Sequence, residues 1–154
     1  MEAPPLEFAF EIECDLQVRH RYGPTVAGVE RGFVGLRGGR VSGPRLNGRV
    51  VPNVGGDFPT IWPDMTVAFD ARYLIEADDG TLIELRNRGF RHGPPAVLQA
   101  LVDGQDQDPS TYYMRLAPSF DAPAGPHQWL SRTVFIGAAD RRQDHSVFRY
   151  WAVL

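Results

Sequence analysis

Residues 8–18 read FAFEIECDLQV, and the apolar character alternates strictly. Phe8, Phe10, Ile12, Cys14, Leu16 and Val18 fall on one side, and Ala9, Glu11, Glu13, Asp15 and Gln17 on the other. A two-residue period puts successive side chains on opposite faces of an extended chain, so this is a strand with one wet face. The same texture recurs along the chain. Further strands are expected over 26–36, 47–54, 65–77, 81–88, 111–118, 129–138 and 146–153, with turns at GPRLNG (43–48) and APAGP (122–126). Only 93–104, GPPAVLQALVDG, reads as a helix: Pro94 and Pro95 suit its first turn, Val97, Leu98 and Leu101 form one stripe, and Gly104 ends it. Such a short helix needs the strands to lie on, at one end or over an edge. Many short strands and one helix predict an all-β fold, a single antiparallel β-barrel of about eight or more strands. With 154 residues and no repeat or linker, one domain over 1–154 is expected.

The hairpin DARYLIEADDGTLIELRNRG (70–89) fixes which side chains face inward. A two-residue Asp79-Gly80 turn would set Tyr73 opposite Arg86 and mix oil with charge on both faces. A three-residue loop, Asp78-Asp79-Gly80 with Gly80 left-handed, sets Tyr73 opposite Leu85 and Arg72 opposite Arg86. One face is then Phe69, Ala71, Tyr73, Ile75, Ile83, Leu85 and Asn87; the other is Asp70, Arg72, Leu74, Glu76, Glu84, Arg86 and Arg88. The second register keeps the faces distinct, so Tyr73 and Asn87 are expected inside, and Arg72, Glu76, Glu84 and Arg86 outside in an ion-pair ladder. A buried phenol and amide must find partners in protein, water or ligand.

Composition removes several chemistries. All sixteen basic residues are arginine, which excludes a Schiff-base lysine and a P-loop lysine. Arginine holds anions but shuttles protons poorly. The histidines at 20, 92, 127 and 145 have no HxH or HExxH spacing, and no GxGxxG or GxSxG occurs, so neither metal nor cofactor is expected. A net charge of −3 offers no field for nucleic acid. No apolar run suits a membrane helix, and MEAPPLEFAF lacks the basic start of a secretory leader. With one cysteine, Cys14, a reducing cytoplasmic location is expected. A homodimer would have to form through an unsatisfied strand edge.

The ordered series Gly38-Gly39, GPRLNGRV (43–50), GGD (55–57), DARY (70–73), DDG (78–80), RNRG (86–89), YYMR (112–115) and WL (129–130) resembles the domain-of-unknown-function 3237 family, also called uncharacterised protein family 0311. The resemblance runs from about residue 6 to the end and implies a compact barrel, with a pocket like those of allene-oxide-cyclase-like or lipocalin-like proteins. Some members resemble cyclases that close oxygen rings on polyketide-type phenols. This chain departs from the family pattern at PNVGG (52–56), at Met65 where a glycine usually follows Asp64, and at Ser131 where an asparagine usually follows Trp-Leu.

The resemblance implies a site drawn from Arg31, Asp57, Arg72, Tyr73, Asn87, Tyr113 and Arg115; Asp57, Arg72 and Tyr73 are expected to be catalytic and the others to bind substrate, together with Trp62 and Trp129, aromatic residues suited to lining a pocket. Arg72 and Tyr73 are neighbours, so a regular strand sends only one of them inward. The leading expectation is a cofactor-free cyclase or isomerase working on a hydrophobic, polyketide- or phenol-type small molecule. Asp57 or Tyr73 would move the proton, and Arg72 or Arg115 would stabilise developing negative charge. The alternative is a barrel that binds a hydrophobic ligand without changing it. A third reading, a partner-binding β-domain, requires a filled interior and an exposed apolar patch.

Overall fold

The computed structural model describes residues 2–154. Nine strands follow in chain order: β1 (Leu6–Tyr22), β2 (Glu30–Ser42), β3 (Gly48–Asp57), β4 (Thr60–Ile61), β5 (Val67–Ala77), β6 (Leu82–His92), β7 (Tyr113–Asp121), β8 (Phe135–Arg141) and β9 (His145–Val153). One helix, α1 (Pro95–Val102), lies between β6 and β7. Neighbours run β1-β9-β8-β7-β6-β5-β3-β2, and β1 pairs back onto β2, so the sheet closes. All pairings are antiparallel. The short β4 continues the β3 stave beyond Phe58-Pro59 and bridges β2 and β5. Closure into an antiparallel barrel with one helix agrees with the expected fold class.

The β5–β6 hairpin takes the expected register, with Tyr73 opposite Leu85 and Arg72 opposite Arg86. Its three-residue loop ends on Gly80 at φ 84°, and the Ala77 N–H donates to the Thr81 carbonyl at 2.9 Å. Tyr73, Ile75, Ile83, Leu85 and Asn87 are buried. Arg72 pairs outside with Glu84 at 2.8 Å, and Arg86 and Arg88 both reach Asp70 at 3.1 Å.

β1 departs from strict alternation. Its register shifts between Phe8 and Phe10 and again around Leu16–Arg19. The first shift buries Ala9 and leaves Phe8 half-buried, edge-on to Trp151. At the second, Gln17 and Val18 interrupt the ladder with β2, and Val18 ends 70% exposed although the alternation had placed it inside. Extra residues of this kind bend a strand and reset which parity points inward. Beyond the break Arg19 and Arg21, odd-numbered residues, join the cavity border beside His20. Other boundaries moved as well. The segment 26–36 begins as a turn and becomes β2 only at Glu30, and 129–132, the start of the strand expected over 129–138, lies in the 3-10 turn Gln128–Arg132.

The glycine-rich stretch 35–48 is mostly strand, and Gly39 explains part of its composition. It sits opposite Cys14 at the β1–β2 seam with φ 148°, and a Cβ there would lie 1.9 Å from the Glu13 carbonyl oxygen. Gly39→Ala should therefore lower stability by more than about 1 kcal/mol, seen as a fall in the urea midpoint. Met65, where the family usually carries glycine, holds φ 65° in the turn before β5. That is the left-handed region, which non-glycine residues enter at a cost.

The barrel is filled at one end and hollow at the other. Phe10, Phe120, Phe135 and Tyr150 form the filled end, with Phe10 ring centroids 5.6 Å from Phe120 and 5.6 Å from Tyr150. Trp129 packs on Phe135 beneath them at 5.7 Å. At the other end α1 buries Leu98 and Leu101 and lies over part of the opening. No helix among the described residues is long and apolar enough to cross a membrane.

Candidate functional site

The hollow end is a cavity of about 170 Å³, below the roughly 300–1,000 Å³ usual for small-molecule sites. It is close to the ~150 Å³ of an apolar cavity that takes up benzene. Its walls are mainly carbon: Leu16, Leu36, Phe69, Ala71, Met114, Leu116 and Phe148 among others. Exposed Arg19, His20, Arg21 and Val102 border its outer end.

The inner end carries a neutral polar cluster built by four strands. The Asn87 amide Nδ2 donates to the Tyr150 hydroxyl at 2.8 Å. Tyr150 is also hydrogen-bonded to Tyr73, and the Cys14 thiol lies 3.6 Å from the Tyr73 hydroxyl. Burial pushes both phenols well above their ordinary range and raises the Cys14 thiol to about 12. At neutrality these groups donate and accept hydrogen bonds without ionising. Asn87 Oδ1 is buried with no partner among the described residues, an acceptor of the kind that a ligand hydroxyl satisfies.

Asp57 occupies the cavity wall because the β3–β4 stave breaks there. Pro59 has no N–H to continue the ladder, so the chain leaves β3 at Asp57 and rejoins the sheet as β4. The Asp57 carboxylate accepts the Asp70 backbone N–H at 2.9 Å. Burial, opposed by that hydrogen bond and by Arg91 and reinforced by the charge of Asp70, raises its pKa from 3.8 to about 7. Arg91, on the wall of the same cavity, is lowered to about 10 by burial and by the nearby charge of Arg19, and it stays cationic at neutrality.

Three of the nine residues singled out in the sequence, Asp57, Tyr73 and Asn87, line this one cavity. The other six do not. Arg72 is outside and paired with Glu84. Tyr113 stacks on His92 at 4.6 Å on the outer surface, with the Arg115 guanidinium 5.3 Å from its ring centroid. Trp62 is 42% exposed beside Phe90. Arg31 donates to the Thr60 hydroxyl at 2.8 Å, and Trp129 lies under the filled end with Arg45 stacked 4.0 Å above it. The reason is parity: 72, 113 and 115 alternate with the inward residues 73, 112, 114 and 116. Since Arg72 pairs with Glu84 on the solvent side of the barrel, Arg72→Ala should leave the unfolding midpoint close to the parent's and ligand binding unaltered, checked by thermal unfolding with and without ligand.

Arg91 and Arg141, two cavity arginines, escaped the sequence reading. Arg91 continues the inward series Leu85, Asn87, Gly89 of β6, beyond the strand that the sequence predicts over 81–88. Arg141 is held by donating from Nη1 to the His145 carbonyl at 2.9 Å and to the Arg142 carbonyl, while its own N–H donates to the Tyr112 hydroxyl at 2.8 Å.

Together these features define a class: a closed antiparallel barrel with a small apolar cavity, a neutral hydrogen-bonding floor and one buried carboxyl in its wall. The chain belongs to the family described as protein of unknown function DUF3237, whose model matches residues 4–153. It is 37% identical over 153 residues to a UPF0311 protein of Rhodopseudomonas palustris strain TIE-1, spanning 98% of this chain and 99% of that one. The crystal structure of the conserved protein of unknown function RPA1785 from Rhodopseudomonas palustris superposes with a TM-score of 0.90 at 32% identity, over 99% of this chain and 100% of that one. An enzyme from Penicillium herquei shares the fold with a TM-score of 0.74 at 22% identity, over 100% of this chain and 97% of that one.

Proposed function

We propose that the cavity is a cofactor-free acid–base site that closes or isomerises a hydrophobic, phenol-type small molecule. The observation that carries this reading is Asp57: a carboxyl in a carbon-lined cavity whose pKa is raised to about 7. A group that titrates near the working pH transfers protons in both directions, which is what general acid–base catalysis asks of it. In such a ring closure Asp57 takes the proton of a substrate hydroxyl, the oxygen bonds to an unsaturated carbon, and Asp57 returns the proton to the adjoining atom. Atoms and charge balance with no co-reactant. Tyr73, locked as a neutral phenol, serves as a hydrogen-bond donor, and Asn87 Oδ1 as the acceptor that orients a substrate hydroxyl. The charge-stabilising role expected of Arg72 or Arg115 finds no support, since both lie outside. That an enzyme from Penicillium herquei has the same fold supports only that such a barrel accommodates catalysis.

The test is turnover of a panel of unsaturated phenols, followed against pH. The expected profile has a limb with its midpoint near about 7, absent after Asp57→Asn. Intact turnover in both Asp57→Asn and Tyr73→Phe contradicts the proposal. The second reading, a barrel that only binds its ligand, is favoured by the carbon-rich walls; it requires binding without product in the parent chain.

A further inference from the structure

The outer end of the cavity concentrates positive charge that the protein leaves unsatisfied. Arg91 comes from β6 and Arg141 from the end of β8, and both border the cavity. Arg91 Nε and Arg141 Nη2 are buried with no acceptor among the described residues. Their neighbours offer little relief. Arg19 adds charge of the same sign, as does Arg21, although Glu30 pairs with Arg21, and Asp140, beside Arg141 in sequence, is already bound by Arg142 at 2.5 Å. Asp57 is the one carboxylate among the groups that influence Arg91. A buried guanidinium with free N–H groups is costly unless an anion or acceptor completes it.

We propose that this end is an anion subsite, in which Arg91 and Arg141 hold the carboxylate of a single-ring aromatic acid. The inference rests on the cavity being the substrate site and names the class of molecule it takes. The ring lies in the apolar neck and a ring hydroxyl reaches Asn87 Oδ1. Three observations fix the class. Behind the arginines lies a cavity of about 170 Å³, room for one six-membered ring. Its walls are carbon, so a bare inorganic anion would leave them unfilled. Asn87 and Arg91 stand four residues apart on one face of β6, about 13 Å along the strand, and the long arginine side chain shortens that gap. Guanidinium and carboxylate match as a planar, two-pronged pair.

Calorimetric titration of the full chain with 4-hydroxybenzoate, benzoate, phenol and inorganic phosphate tests this. The expected order of affinity is 4-hydroxybenzoate, then benzoate, then phenol, with the hydroxy acid at least about tenfold tighter than phenol and phosphate unbound. Arg91→Met should bring the hydroxy acid close to the level of phenol while leaving phenol unchanged. Phenol and acid binding alike in the parent chain would overturn the anion subsite while leaving the cavity reading intact, and this comparison needs no variant. Phosphate binding as well as the acid, or Arg91→Met weakening phenol and acid equally, would also overturn it. Binding of none of the four overturns the subsite together with the ligand class. The acid–base reading is judged separately, by the pH limb of turnover.

Discussion

Asp57→Asn should make the protein more stable above about pH 7 while removing most of its turnover. The Asp57 pKa rises from 3.8 to about 7 in the folded chain, so between those values the folded state binds a proton that the unfolded state has released. Stability from this group is therefore fully present below about pH 4, declines as pH climbs, and is gone above about pH 7. Asparagine carries no such penalty, and its Oδ1 still accepts the Asp70 N–H that Asp57 accepts at 2.9 Å. At about 1.4 kcal/mol per unit, with some screening at the cavity mouth, the gain at about pH 8 should be about 2–4 kcal/mol, and close to zero at about pH 4. Urea unfolding of both chains at the two pH values checks the sign and the size. Loss of the proton carrier should lower turnover by about 10²–10⁴-fold. Rising stability with falling activity is the mark of a group kept in an unfavourable place for its chemistry.

The other large effect belongs to the filled end. Phe10→Ala should destabilise the chain by about 3–5 kcal/mol, because a fully buried ring leaves a void its neighbours close only in part. The ring is wedged against Phe120, Tyr150 and Phe135, whose centroids lie 5.6, 5.6 and 6.2 Å away. Phe148→Ala offers the contrast. That ring is only partly buried and borders the cavity, so its removal enlarges a space already open and should cost less than half as much. The urea midpoint should fall with an unchanged slope in both variants. Equal losses would mean that the barrel is packed alike from end to end.

The sequence disclosed this architecture wherever a strand keeps its period and a turn fixes its register. The β5–β6 hairpin was readable for that reason, and with it the inward direction of Tyr73 and Asn87 and the outward direction of Arg72. The irregularity in β1 was not readable. Gln17 and Val18 interrupt the ladder opposite Gly35, and no residue type announces that a pair of hydrogen bonds is missing. The placement of Arg19 and Arg21 at the cavity mouth was therefore hidden. Arg91 could have been found by continuing the β6 alternation three residues further. The position of Asp57 came from the resemblance, but its raised pKa did not. That depends on burial in a closed barrel, on Asp70 thirteen residues away and on Arg91 from a third strand. Barrel closure is non-local, so local patterns carry little of it.

Titration of the ligand-free chain by carbon-13 NMR, following the Asp57 carboxyl carbon with Asp57→Asn to assign it, tests the central claim most directly. A midpoint near about 7 is the expected result and makes Asp57 a proton carrier poised at neutrality. A midpoint near about 4, the value of a solvated aspartate, would contradict the acid–base reading and leave a barrel that only binds.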